Sequence, residues 1–357
     1  MNRKHRDRHE RIVLVMPGGG ALGAYQAGVY QALCESGLEP DWVIGTSIGA
    51  INAALIAGNA NHARLDRLRE FWQRVEQKPS WGAWSIVARG LPAFFTPRLH
   101  AWAGPQAPLG LDQASYYTTE PLRRTLHELV DTDLLAKGSP RITVGAVAVR
   151  SGQMTYFDSR HTPLRIDHVM ASGALPPAFP AVRIGGEAYW DGGIYSNTPV
   201  EPVIEDRPHR SALIFAVNVW QRAAPEPRSI WEVMARQKDI QFASHADSHI
   251  ARQKQLHHMR RLLHDLLERW PGPKQHIPRW LDMAAHGADT TVHVVRLMAP
   301  PNPGDDYLKD VDFTRSGIRE RWSAGQRDAL LAIERAAWED PTDPMQGVFV
   351  HEPQGSL

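Results

Sequence analysis

The feature that most constrains this chain is a pair of short apolar runs near its start, each leading through glycine into a small-residue helix pattern. The first, Arg11-Ile-Val-Leu-Val-Met-Pro17, opens into Gly18-Gly19-Gly20 and a helix over 21–37 that stops at Gly37. The second, running from Asp41 to Ala57, gives a buried strand over Trp42 to Ile44, a sharp turn over Gly45-Thr46-Ser47-Ile48-Gly49, and a helix opening at Ala50. Strand, loop, helix, strand, turn, helix is the opening of a mostly parallel sheet with helices on both faces. Glycines two positions either side of Ser47 leave room where side chains would collide. A serine there forms a nucleophile elbow, strained, with its Oγ projecting from the turn. The helix beginning beside it offers free N–H groups and a positive dipole end to an oxyanion.

Gly18 to Gly23 also matches Gly-x-Gly-x-x-Gly, a dinucleotide-binding pattern. That function needs a carboxylate at the end of the second strand, on the ribose. Here Glu39 and Asp41 precede the strand, and Gly-Thr-Ser follows it. The glycines fit better as a cradle of backbone N–H groups at a helix start, facing the elbow and ready for an oxyanion.

A chain of 357 residues with 43% hydrophobic and 22% charged residues can bury a substantial core. Its 40 basic and 39 acidic residues nearly cancel, which disfavours nucleic acid or any polyanion as partner. Cys34 is the single cysteine, so no intrachain disulfide forms. The apolar run Ile12 to Met16 is too short for a secretory signal, and no stretch approaches the ~20 apolar residues that span a bilayer. The expectation is a cytoplasmic protein whose membrane contact, if any, is peripheral.

Further along, a helix is expected over His62 to Lys78. An aromatic segment follows from Pro79 to Gly110, holding Trp81, Trp84, Phe94, Phe95 and Trp102, which suits either a loop packed on the core or a lid or acyl-chain wall. Helices are expected over Thr119 to Val130 and Ile166 to Ser172. Arg141 to Val149 and Gln153 to Phe157 form an antiparallel pair, and Val182 to Trp190 a hairpin over Gly185-Gly186 that delivers Asp191 at its end. Leu213 to Val219 is a buried strand, and Ser229 to Trp270 a long amphipathic helix with Ser229 as cap. His245 and His249 lie one turn apart on it but lack the glutamate of a His-Glu-x-x-His zinc motif, so a solvated face is the reading. A strand over 291–297, at the sheet edge, and a helix from Thr314 to Trp338 complete the pattern.

Four blocks together carry a resemblance. Gly18-Gly-Gly-Ala-Leu-Gly-Ala-Tyr-Gln-Ala-Gly28, Gly45-Thr-Ser-Ile-Gly49, Ala171-Ser-Gly-Ala-Leu-Pro-Pro-Ala-Phe179, and Asp191-Gly-Gly193 with Asn197-Thr-Pro199 are similar, in kind and order, to the patatin family of lipid acyl hydrolases. The tail, with Asp312-Phe-Thr-x-Ser316 and Arg319 to Trp322, resembles the C-terminal extension of a bacterial subgroup of that family. The resemblance implies a three-layer α/β/α sandwich around a mostly parallel sheet. Residues 1–10 would be a charged flexible tail, 11–220 the acyl hydrolase core, and 221–357 a mainly helical extension with the late strand. It also implies Ser47 as nucleophile, Asp191 as general base in a Ser-Asp dyad, and Gly18, Gly19 and Gly20 as the oxyanion hole. The substrate would be a lipid ester, with no metal or organic cofactor. Leu22 departs from the family, which commonly carries Arg or Lys there, and this puts the preference for a phosphate head group in doubt.

Other readings stay open. A Ser-His-Asp triad would draw its histidine from His209, His286 or His293, although that fold normally places several strands before its elbow. A catalytically silent lipid-binding module would keep the fold and the aromatic segment. Head group, acyl length and oligomeric state are not fixed by the residues.

Overall fold

Strand β1 (Arg11–Met16) lies parallel to β2 (Trp42–Thr46), with Val15 level with Ile44. The computed structural model describes residues 11–352 except 78–83, 99–107, 274–278, 281–282, 284–285, 288–289, 303–304 and 344–345. The charged tail 1–10, Trp81 and Trp102 lie outside the described residues, as do the side chains of His245 and His249.

Between β1 and β2 runs α1 (Gly23–Glu35), and after β2 come α2 (Ile48–Ala57) and α3 (Arg64–Arg74). The aromatic segment contributes α4 (Trp84–Arg89) and β3 (Thr96–Pro97), which pairs in a small ribbon with β4 (Tyr117–Thr118). Next are α5 (Glu120–Leu129) and α6 (Thr132–Lys137), then the antiparallel pair β5 (Arg141–Ala148) and β6 (Met154–Asp158). Helix α7 (Ile166–Ser172) precedes the hairpin β7 (Val182–Ile184) and β8 (Glu187–Asp191). The chain continues through α8 (Glu201–Glu205), β9 (Ala212–Asn218), α9 (Ile230–Glu268), β10 (Val292–Met298), α10 (Arg315–Arg335) and β11 (Val348–His351).

The main sheet runs β11-β10-β9-β1-β2-β5-β8-β7, with β6 paired to β5. Pairing is parallel from β11 to β5 and antiparallel beyond. Parallel strands are covered on both faces, which is why their residues are apolar without a break. Ile12, Leu14 and Met16 join one core with α1 and α2, whereas Val13 and Val15 join a second with Val203 of α8 and with Val292 and Val294. The late strand expected at the sheet edge lies inside it instead: β11, a short run of four residues, pairs outside β10. Capping of α9 follows expectation, since Ser229 Oγ accepts from Glu232 N–H at 3.2 Å.

Helix α1 is buried over nearly its whole length, and α10 lies across it. A Cβ on Gly28 would collide with the carbonyl of Trp322, and one on Gly325 with the carbonyl of Tyr25. The helices therefore meet backbone to backbone, as only glycine allows at both crossing points.

Candidate active site

Ser47 is the single residue between β2 and α2, at φ 56° and ψ −122°. For a residue with a Cβ this backbone costs of order 1–3 kcal/mol and persists only where its surroundings force it. Two constraints do so here. A Cβ on Gly45 would strike the carbonyl of Gly49, and one on Gly49 the carbonyl of Met16, so the turn closes more tightly than side chains allow. In addition, Ser47 N–H is shared between the carbonyl of Ser172 at 3.1 Å and Ser172 Oγ at 3.0 Å. That hydroxyl donates in turn to the carbonyl of Gly145 at 2.6 Å. Ser172 was visible in the sequence only as part of a motif; its grip on the Ser47 amide depends on β5 and α7 meeting there.

Asp191 ends β8, level with Ala146 of β5, and is only 2% exposed. Its carboxyl accepts from Gly193 N–H at 2.7 Å and faces the same cavity as Ser47. Burial penalises its charged form and pushes it up to about 6, against the smaller opposing pull of the neighbouring Ser47 hydroxyl and Gly193 N–H. Such a carboxylate is ionised at neutral pH yet basic enough to take a proton.

The glycine loop approaches from the β1 side. Gly18 N–H donates to Asn197 Oδ1 at 2.9 Å, while Gly18 O accepts from Asn197 Nδ2 at 3.2 Å and Trp220 Nε1 at 2.8 Å. The Gly18 amide is thus already engaged, while Gly19 and Gly20 carry the amides that follow it. Gly20 has φ +54°, and a Cβ there would collide with the carbonyl of Asp310.

Leu22 is buried and stays out of the Ser47 cavity; it lines a small recess near Lys309 and Arg321. Those cations are spent on carboxylates, Lys309 on Asp239 at 2.7 Å and Arg321 on Asp305 at 2.8 Å and Asp312 at 3.1 Å.

Ser47, Asp191 and the three loop glycines line one cavity of about 280 Å³. Its remaining wall is mainly apolar, including Ile51, Phe94, Phe95, Phe179, Phe242 and Phe313. Phe94 and Phe95 from the aromatic segment therefore form cavity wall as well as core. Among the described residues no histidine lines it. Of the triad candidates, His293 Nδ1 is bonded to His351 Nε2 at 2.9 Å on the far strands, His286 is exposed, and His209 follows α8.

The fold is a mostly parallel sheet flanked by helices, with a serine on a strained turn and a buried aspartate lining one cavity. The model of the family described as patatin-like phospholipase matches residues 14–204, and a second, described as patatin phospholipase, matches residues 240–345. The chain belongs to the patatin-like phospholipase family. Among curated relatives, patatin-like phospholipase domain-containing protein 7 of Rattus norvegicus is 41% identical over 61 residues, 17% of this chain and 4% of that protein. Lysophospholipase NTE1 of Debaryomyces hansenii is 26% identical over 212 residues, 59% of this chain and 12% of that protein. This chain thus corresponds to a small part of the length of those relatives. Of solved structures, VipD from Legionella pneumophila aligns at a TM-score of 0.38 with 15% identity, covering 91% of this chain and 67% of that one. The type III effector ExoU aligns at 0.35 with 16% identity, covering 91% and 53%.

Among the described residues no helix is long and apolar enough to cross a membrane.

Proposed function

We propose that this protein is a serine lipid acyl hydrolase that cleaves fatty acyl esters through an acyl-Ser47 intermediate. The observation that supports this is that Ser47, on its strained turn, and the buried Asp191 carboxyl line one largely apolar cavity. Ser47 Oγ attacks the ester carbonyl as its proton passes to Asp191, and the tetrahedral oxyanion is held by amides of the glycine loop. Gly19 and Gly20 are the donors we favour, with Gly18 clamped by Asn197 as the base of the loop. Collapse of the intermediate breaks the ester C–O bond, and the leaving alcohol takes the proton from Asp191. Asp191 then draws a proton from water, whose oxygen attacks the acyl-enzyme; the fatty acid leaves and Ser47 regains its hydrogen.

The reacting groups all fall within 11–220, which we take as the hydrolase core. The extension 221–357 would serve that core by completing its sheet and supplying part of the cavity wall. Lipid substrate brings the protein to membrane surfaces, where we take its contact to be peripheral.

The test is release of fatty acid from phospholipid, or of nitrophenol from a nitrophenyl ester, by purified protein. Ser47→Ala and Asp191→Asn should each lower kcat by about 10³-fold or more. Undiminished turnover in either variant would defeat the assignment.

A further inference from the structure

One wall of the cavity is built by residues far from the motifs that carry the chemistry. Asp310, Val311 and Phe313 face the same space as Ser47, from a short helical turn over Lys309–Val311 and the residues after it. Ion pairs fix this strap. Lys309 Nζ meets Asp239 Oδ1 at 2.7 Å with both side chains buried, and Lys238 Nζ meets Asp310 at 2.8 Å and the carbonyl of Tyr307 at 2.9 Å. Gln77 N–H holds the carbonyl of Phe313 at 2.7 Å from the other side. Because the carbonyl of Asp310 abuts Gly20, the strap stands at a set distance from the glycine loop.

Phe313 is 2% exposed, with its ring 5.9 Å from that of Phe94 and stacked at 6.2 Å on Trp72. Trp72 Nε1 donates to Asn52 Oδ1 at 3.1 Å. Asn52, in α2, lies five residues beyond Ser47, about 7.5 Å at the helical rise. Through Trp72 the ring of Phe313 is tied to α2 at Asn52, and Phe313 and Phe94 share the cavity wall with Ile48 and Ile51 of that helix. A cavity of about 150 Å³ accepts a six-carbon ring, so one of about 280 Å³ takes a chain on the order of ten carbons. The charged residues on its wall, among those described, are the carboxylates Asp191 and Asp310, so an uncharged chain suits it and a second anionic group does not.

We propose that Phe313, held by the 309–313 strap, is the stop that sets acyl-chain length, and that the preferred substrate carries a medium-length acyl chain. This rests on the acyl hydrolase reading of Ser47. It gives the C-terminal region, and the Asp312-Phe313-Thr314 motif in particular, a specificity role in the reaction.

The experiment is a series of alkyl fluorophosphonates and nitrophenyl esters of increasing chain length, applied to the full chain and to Phe313→Ala, Phe313→Leu and Phe313→Trp. Wild type should label and turn over best near ten carbons and fall off beyond. Phe313→Ala should raise the long-to-medium ratio of kcat/KM by about tenfold or more, since each methylene accommodated is worth about 10-fold or more in discrimination. Phe313→Leu should do so less, and Phe313→Trp should shift the optimum to shorter chains. If Phe313→Ala fails to fold, the Leu and Trp variants must still move the optimum in opposite directions. Labelling of Ser47 with the same chain-length profile in wild type and folded variants overturns this proposal alone. Absence of labelling by every probe in folded wild type overturns the hydrolase reading and this proposal with it.

Discussion

Asn197 holds the peptide of Gly18 at both polar atoms, accepting its N–H at 2.9 Å and donating to its carbonyl at 3.2 Å across 179 residues of sequence. The same Oδ1 would lie 3.0 Å from a Cβ built on Gly193, two residues beyond Asp191. One buried amide thereby ties the glycine loop to the turn that follows Asp191.

Asn197→Ala should expose this linkage. It leaves the buried Gly18 N–H without its acceptor, a loss of about 1–3 kcal/mol in stability, and it frees the glycine loop to move. We expect kcat to drop by roughly 10–100-fold, in the range for losing one oxyanion donor or less. Asn197→Asp keeps an acceptor and should fall between. Thermal melts and ester turnover measure both effects, and wild-type kcat in Asn197→Ala would refute the role.

Ser47 pays a conformational cost that glycine avoids. Ser47→Gly and Ser47→Ala should both be inactive, but the glycine variant should be the more stable by about 1–2 kcal/mol, because only alanine retains a Cβ at φ 56°. Equal melting temperatures would show that the turn relaxes when the hydroxyl is removed.

Activity should rise with pH through about 6, where the Asp191 carboxyl gives up its proton and can serve as base. The pH profile of kcat/KM on a neutral ester reads this directly. An ascending limb near the ordinary carboxylate value of 3.8 would mean that burial does not perturb Asp191 in solution.

The same shift has an opposite sign for stability. Between 3.8 and about 6 the folded protein keeps a proton that the unfolded chain releases, so stability falls as pH rises through that window, by about 3 kcal/mol in all. Asp191→Asn lacks the titration. Its stability relative to wild type should therefore increase from pH 4 to pH 7, as measured by denaturant unfolding. A constant difference would contradict the shift.

What could be read in the sequence was what short stretches determine. The turn at Ser47 was visible because a strand, two glycines and a helix start within one short segment, and Asp191 because a Gly-Gly hairpin places it at a strand end. The helix α9 was bounded by its Ser229 cap. Contacts that depend on distant elements were not visible. Nothing around Ser172 indicates that its hydroxyl will meet Ser47 N–H, and nothing around Phe313 indicates that it will reach a cavity whose serine lies 266 positions earlier (313 − 47). Four residues, Val348-Phe-Val-His351, are too few to show a period, so in sequence β10 stands as the apparent edge and β11 is invisible. The engagement of the Gly18 amide by Asn197 is likewise a property of the assembled site.

The contact of α1 with α10 bears on when the site can exist. Helix α1 starts from the glycine loop and is apolar almost all round, so it is at home only when covered. Its cover on one side is α10, residues 315–335, seated through Gly28 and Gly325. A ribosome begins to deliver that cover only 280 residues after α1 itself has emerged (315 − 35). The nascent chain must hold the support of its glycine loop unfinished through most of its synthesis, and the cavity at Ser47 gains its full cover only as the long α10 arrives.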